Sequence, residues 1–181
     1  RRMEHLTCFL PGTIALGARE LDPNGARTPE EDKATHKAWM EAAAALTETC
    51  VAMYLRQPTG VSPEVAEFPD AEPDFVDGDA YYVLRPETME SLFYMWRMTR
   101  NATYRQWGWD IFRRWNHSCR VDFETGAAGG NVTAVPSRFA FSGVRHVNVP
   151  QPRHDDTMQS FWLAESLKYA LLLFSDDVVL A

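Results

Sequence analysis

The chain reads as mainly α-helical, and three features carry that reading. Apolar residues recur at steps of three and four from Trp39 to Met53, and again from Tyr104 to Trp115. Helix-start chemistry stands at Thr28-Pro29-Glu30-Glu31 and at Arg85-Pro86-Glu87-Thr88. Residues 157–175 are almost continuously apolar, too greasy for a helix at the surface. One stretch departs from this pattern. Residues 126–148 set small, β-branched and aromatic side chains around glycines, which predicts a small β-hairpin as the only substantial β structure.

Taken in order, 4–18 is apolar but contains Pro11-Gly12, so two short helical pieces are expected with the break there. Asp22-Pro23-Asn24-Gly25 marks a loop across 20–27. The Thr28 hydroxyl then caps a helix whose first position is Pro29 and whose first turn carries Glu30 and Glu31, opposite in sign to the helix dipole. That helix runs to about Leu55 or Arg56, with Trp39, Ala43, Leu46, Cys50 and Met53 as its buried stripe. Cys50 therefore faces protein, where it could meet Cys8 of the preceding element. Residues 57–80 hold Pro58, Pro63, Pro69 and Pro73 and form a long loop with room for a short strand at 64–68. Loops of that length inside a compact domain are usually functional. Two helices follow, one from Arg85-Pro86 to about Met98 and one from Ala102 to about Cys119. Tyr104, Trp107, Ile111 and Trp115 lie on one face of the second.

With 181 residues, 45% of them hydrophobic and 24% charged, the chain suits one folded region, 1–181, and not a disordered or fibrous polymer. Its net charge of −7 argues against a nucleic-acid partner, because phosphate binding calls for a basic face. No apolar run reaches the roughly 18 residues of a membrane-spanning helix. Cys8, Cys50 and Cys119 form no CxxC pair, and His5, His36, His117, His146 and His154 show no zinc-ligand spacing. So sparse and odd a cysteine count suits buried thiols. The sequons Asn101-Ala102-Thr103, Asn116-His117-Ser118 and Asn131-Val132-Thr133 instead favour the secretory pathway, where one disulfide can persist.

Four acids stand where they could carry chemistry. Glu87 and Glu90 lie three residues apart in and just past the first turn of their helix, where the dipole and Arg85 favour ionised carboxylates. Such a carboxylate suits a general base or the shell of a cation, although acids in a first turn are also simply good helix design. Phe161 and Glu165 share a face of an apolar helix. A buried acid there needs a partner, which is either Lys168 three residues on, or a metal or a sugar. Glu64, in Ser62-Pro63-Glu64, reads in isolation as a solvated loop acid. His5 in isolation reads as a core histidine.

Together these segments resemble a known family. Glu4-His5-Leu6-Thr7-Cys8-Phe9, Ser62-Pro63-Glu64, Leu84-Arg85-Pro86-Glu87-Thr88-Met89-Glu90, Trp107-Gly108-Trp109 and Ser160-Phe161-Trp162-Leu163-Ala164-Glu165-Ser166-Leu167-Lys168-Tyr169 occur in this order in class I α-1,2-mannosidases, glycoside hydrolase family 47. Phe9-Leu10-Pro11-Gly12-Thr13 is similar to the endoplasmic-reticulum subgroup. The resemblance implies part of an (α/α)7 barrel, the C-terminal portion of a catalytic domain. It implies calcium as cofactor and an inverting mechanism that trims high-mannose N-glycans in the lumen of the endoplasmic reticulum or Golgi.

Residue by residue, the resemblance makes Glu87 the general base, with His5 beside it at the catalytic position. Arg85, Phe161, Glu64, Glu90 and Glu165 become sugar contacts, and the three glutamates also partners of calcium through water. Cys8 and Cys50 match the family disulfide, with an insertion around 21–33 in the loop between them. The family's general acid matches nothing in this chain, and its calcium-binding threonine follows the final helix, so 1–181 alone is expected to be inactive and to rely on the N-terminal remainder of the domain. A second reading on the same scaffold is a mannose-glycan recognition protein of glycoprotein quality control, with little or no hydrolysis.

Overall fold

Helix starts fall where the capping chemistry puts them. In the computed structural model, which describes residues 1–20, 28–123 and 138–176, Thr28 caps α2 (Pro29–Leu55). Its hydroxyl accepts the Glu31 N–H, and the Glu31 carboxylate accepts the Thr28 N–H at 2.8 Å. The helix before it does not break at Pro11-Gly12. A 3-10 turn (His5–Phe9) passes into α1 (Leu10–Arg19), and Pro11 sits in the first turn, where its missing N–H removes no helical bond. Gly12 is needed for proximity. A Cβ there would lie 2.9 Å from Tyr94 Cδ2, and the Gly12 N–H donates to Ser91 Oγ at 3.0 Å, so α1 lies tightly against α3 (Glu87–Thr99).

The core fills the space between α3, α4 (Ala102–Ser118) and the last helical stretch. Leu84, Met89, Leu92, Met95, Ile111, Trp115, Trp162 and Leu173 are all buried there. Along α2 the predicted stripe is buried at Ala43, Cys50 and Met53, whereas Trp39 is 41% exposed and lies against Gly17 of α1. A smaller cluster gathers Cys8, Cys50, Met53 and Ala66. Cys8 and Cys50 are bonded there, their Cα atoms 5.9 Å apart.

β structure is more extensive than the hairpin expected, although the short strand expected at 64–68 is present at Val65–Glu67. β1 (Arg2–Glu4), β2 (Val65–Glu67) and β3 (Val76–Asp79) make a three-stranded antiparallel sheet in which Glu4 faces Val65. β1 is too short to announce itself by alternation, and β3 is half aspartate. The hairpin pairs β4 (Arg120–Phe123) with β5 (Arg138–Phe141), so it begins before residue 126. The expected loop at 20–27, with the insertion around 21–33, and the hairpin expected at 126–148 fall partly outside the described residues.

The final apolar helix differs from expectation in shape and in exposure. It starts with a π-helical stretch (Trp162–Leu167) and continues as α5 (Lys168–Phe174). Trp162, Ala170 and Leu173 are buried, but Leu163 is 61% and Leu171 66% exposed. Gly108 of α4 admits Leu173, whose Cδ2 occupies the space a Cβ would take. The helix is therefore packed on one side and greasy on the other.

Candidate active site

Leu84 turns the chain into the site. Its φ of 65° is left-handed, a conformation that costs a residue with a Cβ about 1–2 kcal/mol. Ser166 Oγ donates to the Leu84 carbonyl at 2.7 Å, which ties this turn to the π-helical stretch. Arg85 and Pro86 follow, with Pro86 as the N-cap, and Glu87 opens α3.

Glu87 is 6% exposed and held from two sides. His5 Nδ1 lies 3.0 Å from Oε2, and a guanidinium nitrogen of Arg85 lies 3.5 Å from Oε1. Burial alone would raise this carboxyl. The hydrogen bond from His5, the Glu87 backbone N–H and Arg85 outweigh burial and hold it below the ordinary glutamate range. Arg85 also grips Glu64: Nε donates to Oε1 and Oε2 at 3.0 and 3.1 Å, and a terminal nitrogen donates to Oε1. This pairing, chiefly its hydrogen bonds, raises the Arg85 guanidinium further. The sheet sets the geometry, because the Glu64 carbonyl accepts the His5 N–H at 2.8 Å and the Glu64 N–H donates to Asp79 and Tyr81.

The other predicted residues stand around this cluster. Arg85 Cζ lies 5.9 Å from the centre of the Phe161 ring. One turn along α3 from Glu87, Glu90 accepts the Tyr169 hydroxyl at 2.6 Å. Burial and then Glu90 push that phenol well above its ordinary range. Glu165 lies one turn before Tyr169. Lys168 Nζ sits 4.2 Å from the Tyr169 ring centre, and Glu165 forms no ion pair among the described residues. Of the two partners weighed for Glu165, lysine is thus not the one it takes. A cavity of about 630 Å³ lined by Ala15, His36, Met40 and Arg97 shares no residue with this cluster.

Calcium fits only as an indirect guest of these side chains. Among the described residues, no three His, Cys, Asp or Glu side chains group to hold a metal directly. Glu90 with one donor, and Glu165 without an ion pair, keep oxygen lone pairs for the water of a hydrated cation.

Asn101 and Asn116 are exposed; Asn131 lies outside the described residues. Cys119 is a free, buried thiol that burial pushes well above its ordinary range, so it is unreactive.

Several residues escaped sequence reasoning: Leu84, Ser166 and Tyr169, and behind His5 the buried pair Tyr54 and Tyr82, whose hydroxyls lie 3.3 Å apart. Tyr54 had one readable signal, since it stands four residues after Cys50 on the buried stripe of α2.

Comparison with known proteins bears on the family and the fold. Over 185 residues the chain is 40% identical to the endoplasmic reticulum mannosyl-oligosaccharide 1,2-alpha-mannosidase of Mus musculus, covering 99% of this chain and 24% of that protein. It is 41% identical to mannosyl-oligosaccharide 1,2-alpha-mannosidase IB of the same organism over 182 residues, again 99% and 24% of the two chains. Identity does not separate these two relatives, and the chain spans about a quarter of the length of either. The structure of an alpha-1,2-mannosidase from Trichoderma reesei superposes with a TM-score of 0.74 at 24% identity, over 97% of this chain and 34% of that one, which makes the fold a portion of that enzyme's (α/α)7 barrel. The family model for glycosyl hydrolase family 47 matches residues 1–181, and by that match, with the Glu64–Arg85–Glu87 cluster behind it, the chain belongs to this family.

Proposed function

We propose that this chain is part of an α-1,2-mannosidase that removes terminal α-1,2-linked mannose from high-mannose N-glycans in the secretory pathway, with Glu87 as the general base. The observation that carries the reading is Glu87 itself, a buried carboxylate kept ionised and fixed in direction by His5 and Arg85. A base must be ionised to take a proton from water, and inversion needs that water on the ring face opposite the leaving oxygen. His5 is wholly buried, so it acts on the water only through Glu87. Phe161 offers an apolar face for the sugar ring beside Arg85, while Glu90 and Glu165 offer acceptors for its hydroxyls. The acid that protonates the leaving oxygen belongs to the remainder of the catalytic domain, which packs against this chain.

Calcium, when bound, would order water and sugar hydroxyls in the site, with Glu64, Glu90 and Glu165 as partners of its hydration shell. The glycan-accepting side chain we favour is Asn101. Its Oδ1 caps α4 by accepting the Thr103 N–H at 3.1 Å, and a glycan on Nδ2 leaves that acceptor intact.

Glu87→Gln in the full-length protein that contains this chain tests the reading. Turnover of an α-1,2-linked mannobiose should fall at least about 100-fold, because the base is lost while size and shape are kept. Glycan binding should persist. Turnover at the wild-type rate would remove Glu87 from the role of base.

A further inference from the structure

Behind Glu87 runs a chain of buried polar groups that the site as described does not use. His5 Nε2 lies 2.8 Å from the Tyr54 hydroxyl, which lies 3.3 Å from the Tyr82 hydroxyl. Trp115 Nε1 donates to that second hydroxyl at 2.7 Å. All four side chains are wholly buried, and they come from the 3-10 turn, the end of α2, the segment before Leu84, and α4. So much polar surface is buried at a cost unless every group is satisfied in a consistent direction.

With His5 neutral, donor and acceptor chemistry sets the direction at the two ends of the chain. An indole N–H only donates, so Tyr82 accepts from Trp115. An ionised Glu87 only accepts, so His5 Nδ1 donates to it. A neutral imidazole with its proton on Nδ1 must accept at Nε2, and the Tyr54 hydroxyl is the nearest donor. Tyr54 then has its lone pairs free to accept, and the single Tyr82 proton is shared between the Tyr54 oxygen at 3.3 Å and the Arg85 carbonyl, to which it donates at 3.2 Å. Burial pushes both phenols well above their ordinary range, so both keep the protons they donate.

We propose that Trp115, Tyr82 and Tyr54 form a one-way hydrogen-bond chain that fixes His5 as its Nδ1–H tautomer and so aims the Glu87 carboxylate at the reacting water. The three are positioning residues, and the proposal rests on Glu87 being the base. The logic is that of any oriented base: a third group selects which imidazole nitrogen carries the proton. Without Tyr54, His5 Nε2 keeps only the Thr88 hydroxyl, at 3.3 Å, so the Nδ1–H tautomer rests on Glu87 with weaker support at the other nitrogen. Whatever share of the Nε2–H tautomer this admits leaves Glu87 facing a lone pair instead of a donor, which turns or protonates the carboxylate.

The experiment uses the full-length protein containing this chain, with α-1,2-mannobiose as substrate, and compares Glu87→Gln, Tyr54→Phe, Tyr82→Phe and the double variant Tyr54→Phe/Thr88→Val. Tyr54→Phe should lower kcat about tenfold with KM within about twofold, as expected when one hydrogen bond shapes the transition state more than substrate binding. Tyr82→Phe should show a smaller loss in the same direction, and the double variant a larger one. Nitrogen-15 NMR of labelled histidine gives a readout that a merely structural role would not move. His5 should show one protonated and one acceptor nitrogen in the wild type, and mixed tautomers in Tyr54→Phe.

If Glu87→Gln is inactive but Tyr54→Phe keeps wild-type kcat and a single tautomer, the chain has no positioning role. If Glu87→Gln is active, the assignment of the base fails, and the NMR comparison still judges the chain by itself. A wild-type His5 protonated on Nε2 would overturn the proposal even if no variant folds.

Discussion

The two ends of the site are built differently. Around Glu87 the 3-10 turn, the end of α2, the sheet and the start of α3 are cross-linked by the Cys8–Cys50 bond, the His5–Glu87 hydrogen bond and the Arg85–Glu64 pair. Around Glu165 one helix supplies nearly everything, Glu165 forms no ion pair among the described residues, and Leu163 and Leu171 face outward on either side of it. The first end is finished within this chain. The second presents acceptors and apolar surface and waits for something to meet them. A base has to be held still, and Glu64, though also proposed for calcium's water, is tied down beside it by Arg85, whereas Glu165 keeps its lone pairs free. The contrast in partners follows the contrast in proposed tasks.

The sharpest way to break the well-tied end is to cut its covalent link. Cys8 and Cys50 are 42 residues apart in sequence, and in the chain-entropy model closing such a loop contributes about 4 kcal/mol. Cys8→Ala/Cys50→Ala in the full-length protein should lose stability of that order in chemical denaturation. A loss below about 1 kcal/mol would mean that the sheet and the buried hydrogen bonds hold the 3-10 turn without it.

Next in size is the Arg85–Glu64 pair. Glu64 is 7% exposed and has a bidentate partner, so Arg85→Met leaves a carboxylate with no counter-charge in a nearly buried place. Breaking such a pair costs about 3 kcal/mol. Glu165→Gln, at the other end, should stay within about 0.5 kcal/mol because no ion pair is broken. Equal effects from the two variants would erase the distinction between the ends.

Much of this contrast was legible in the sequence, for identifiable reasons. Helix starts announce themselves locally: Thr28 and Glu31 form the capping box their spacing implies, and Glu87 and Glu90 fall in the first turn of α3. The acids were found because carboxylates near an arginine at a helix start carry a physical signal. What escaped is non-local. Tyr54, Tyr82 and Trp115 come from three separate segments and look like ordinary core aromatics until the fold brings their polar ends together. The left-handed Leu84 has no sequence signal, because leucine does not favour that conformation. β1 and β3 are three and four residues long, and their pairing with β2 comes from position. The exposure of Leu171 reflects what lies beside α5, which no periodicity within the helix encodes.

The pH dependence sharpens the comparison on the catalytic side. Burial would raise Glu87, but His5 and Arg85 hold it below its ordinary value of 4.5. A carboxyl depressed in the folded state stabilises the fold above its unfolded value, and that contribution fades as pH falls through the folded value. The acid limb of kcat/KM should accordingly lie below pH 4.5. His5→Gln removes the largest group that depresses it, so the limb should move upward in pH. An unmoved limb would mean that Arg85 and the helix start suffice to keep Glu87 ionised.

The smallest effect on stability is expected at Leu171, and it tests the open end most directly. A leucine side chain that is 66% exposed has little left to lose by becoming polar, so Leu171→Lys in the isolated 181-residue chain should change its unfolding free energy by no more than about 0.5 kcal/mol. Its association should change far more. Leu163 and Leu171 lie on the uncovered side of the last helical stretch, and uncovered apolar surface draws copies together. Sedimentation of the isolated chain should therefore show self-association that Leu163→Lys/Leu171→Lys abolishes. If this face packs against further parts of the longer protein, as proposed above, the same pair should instead lower stability there. Indifference to the pair in both settings would show that this face packs against nothing.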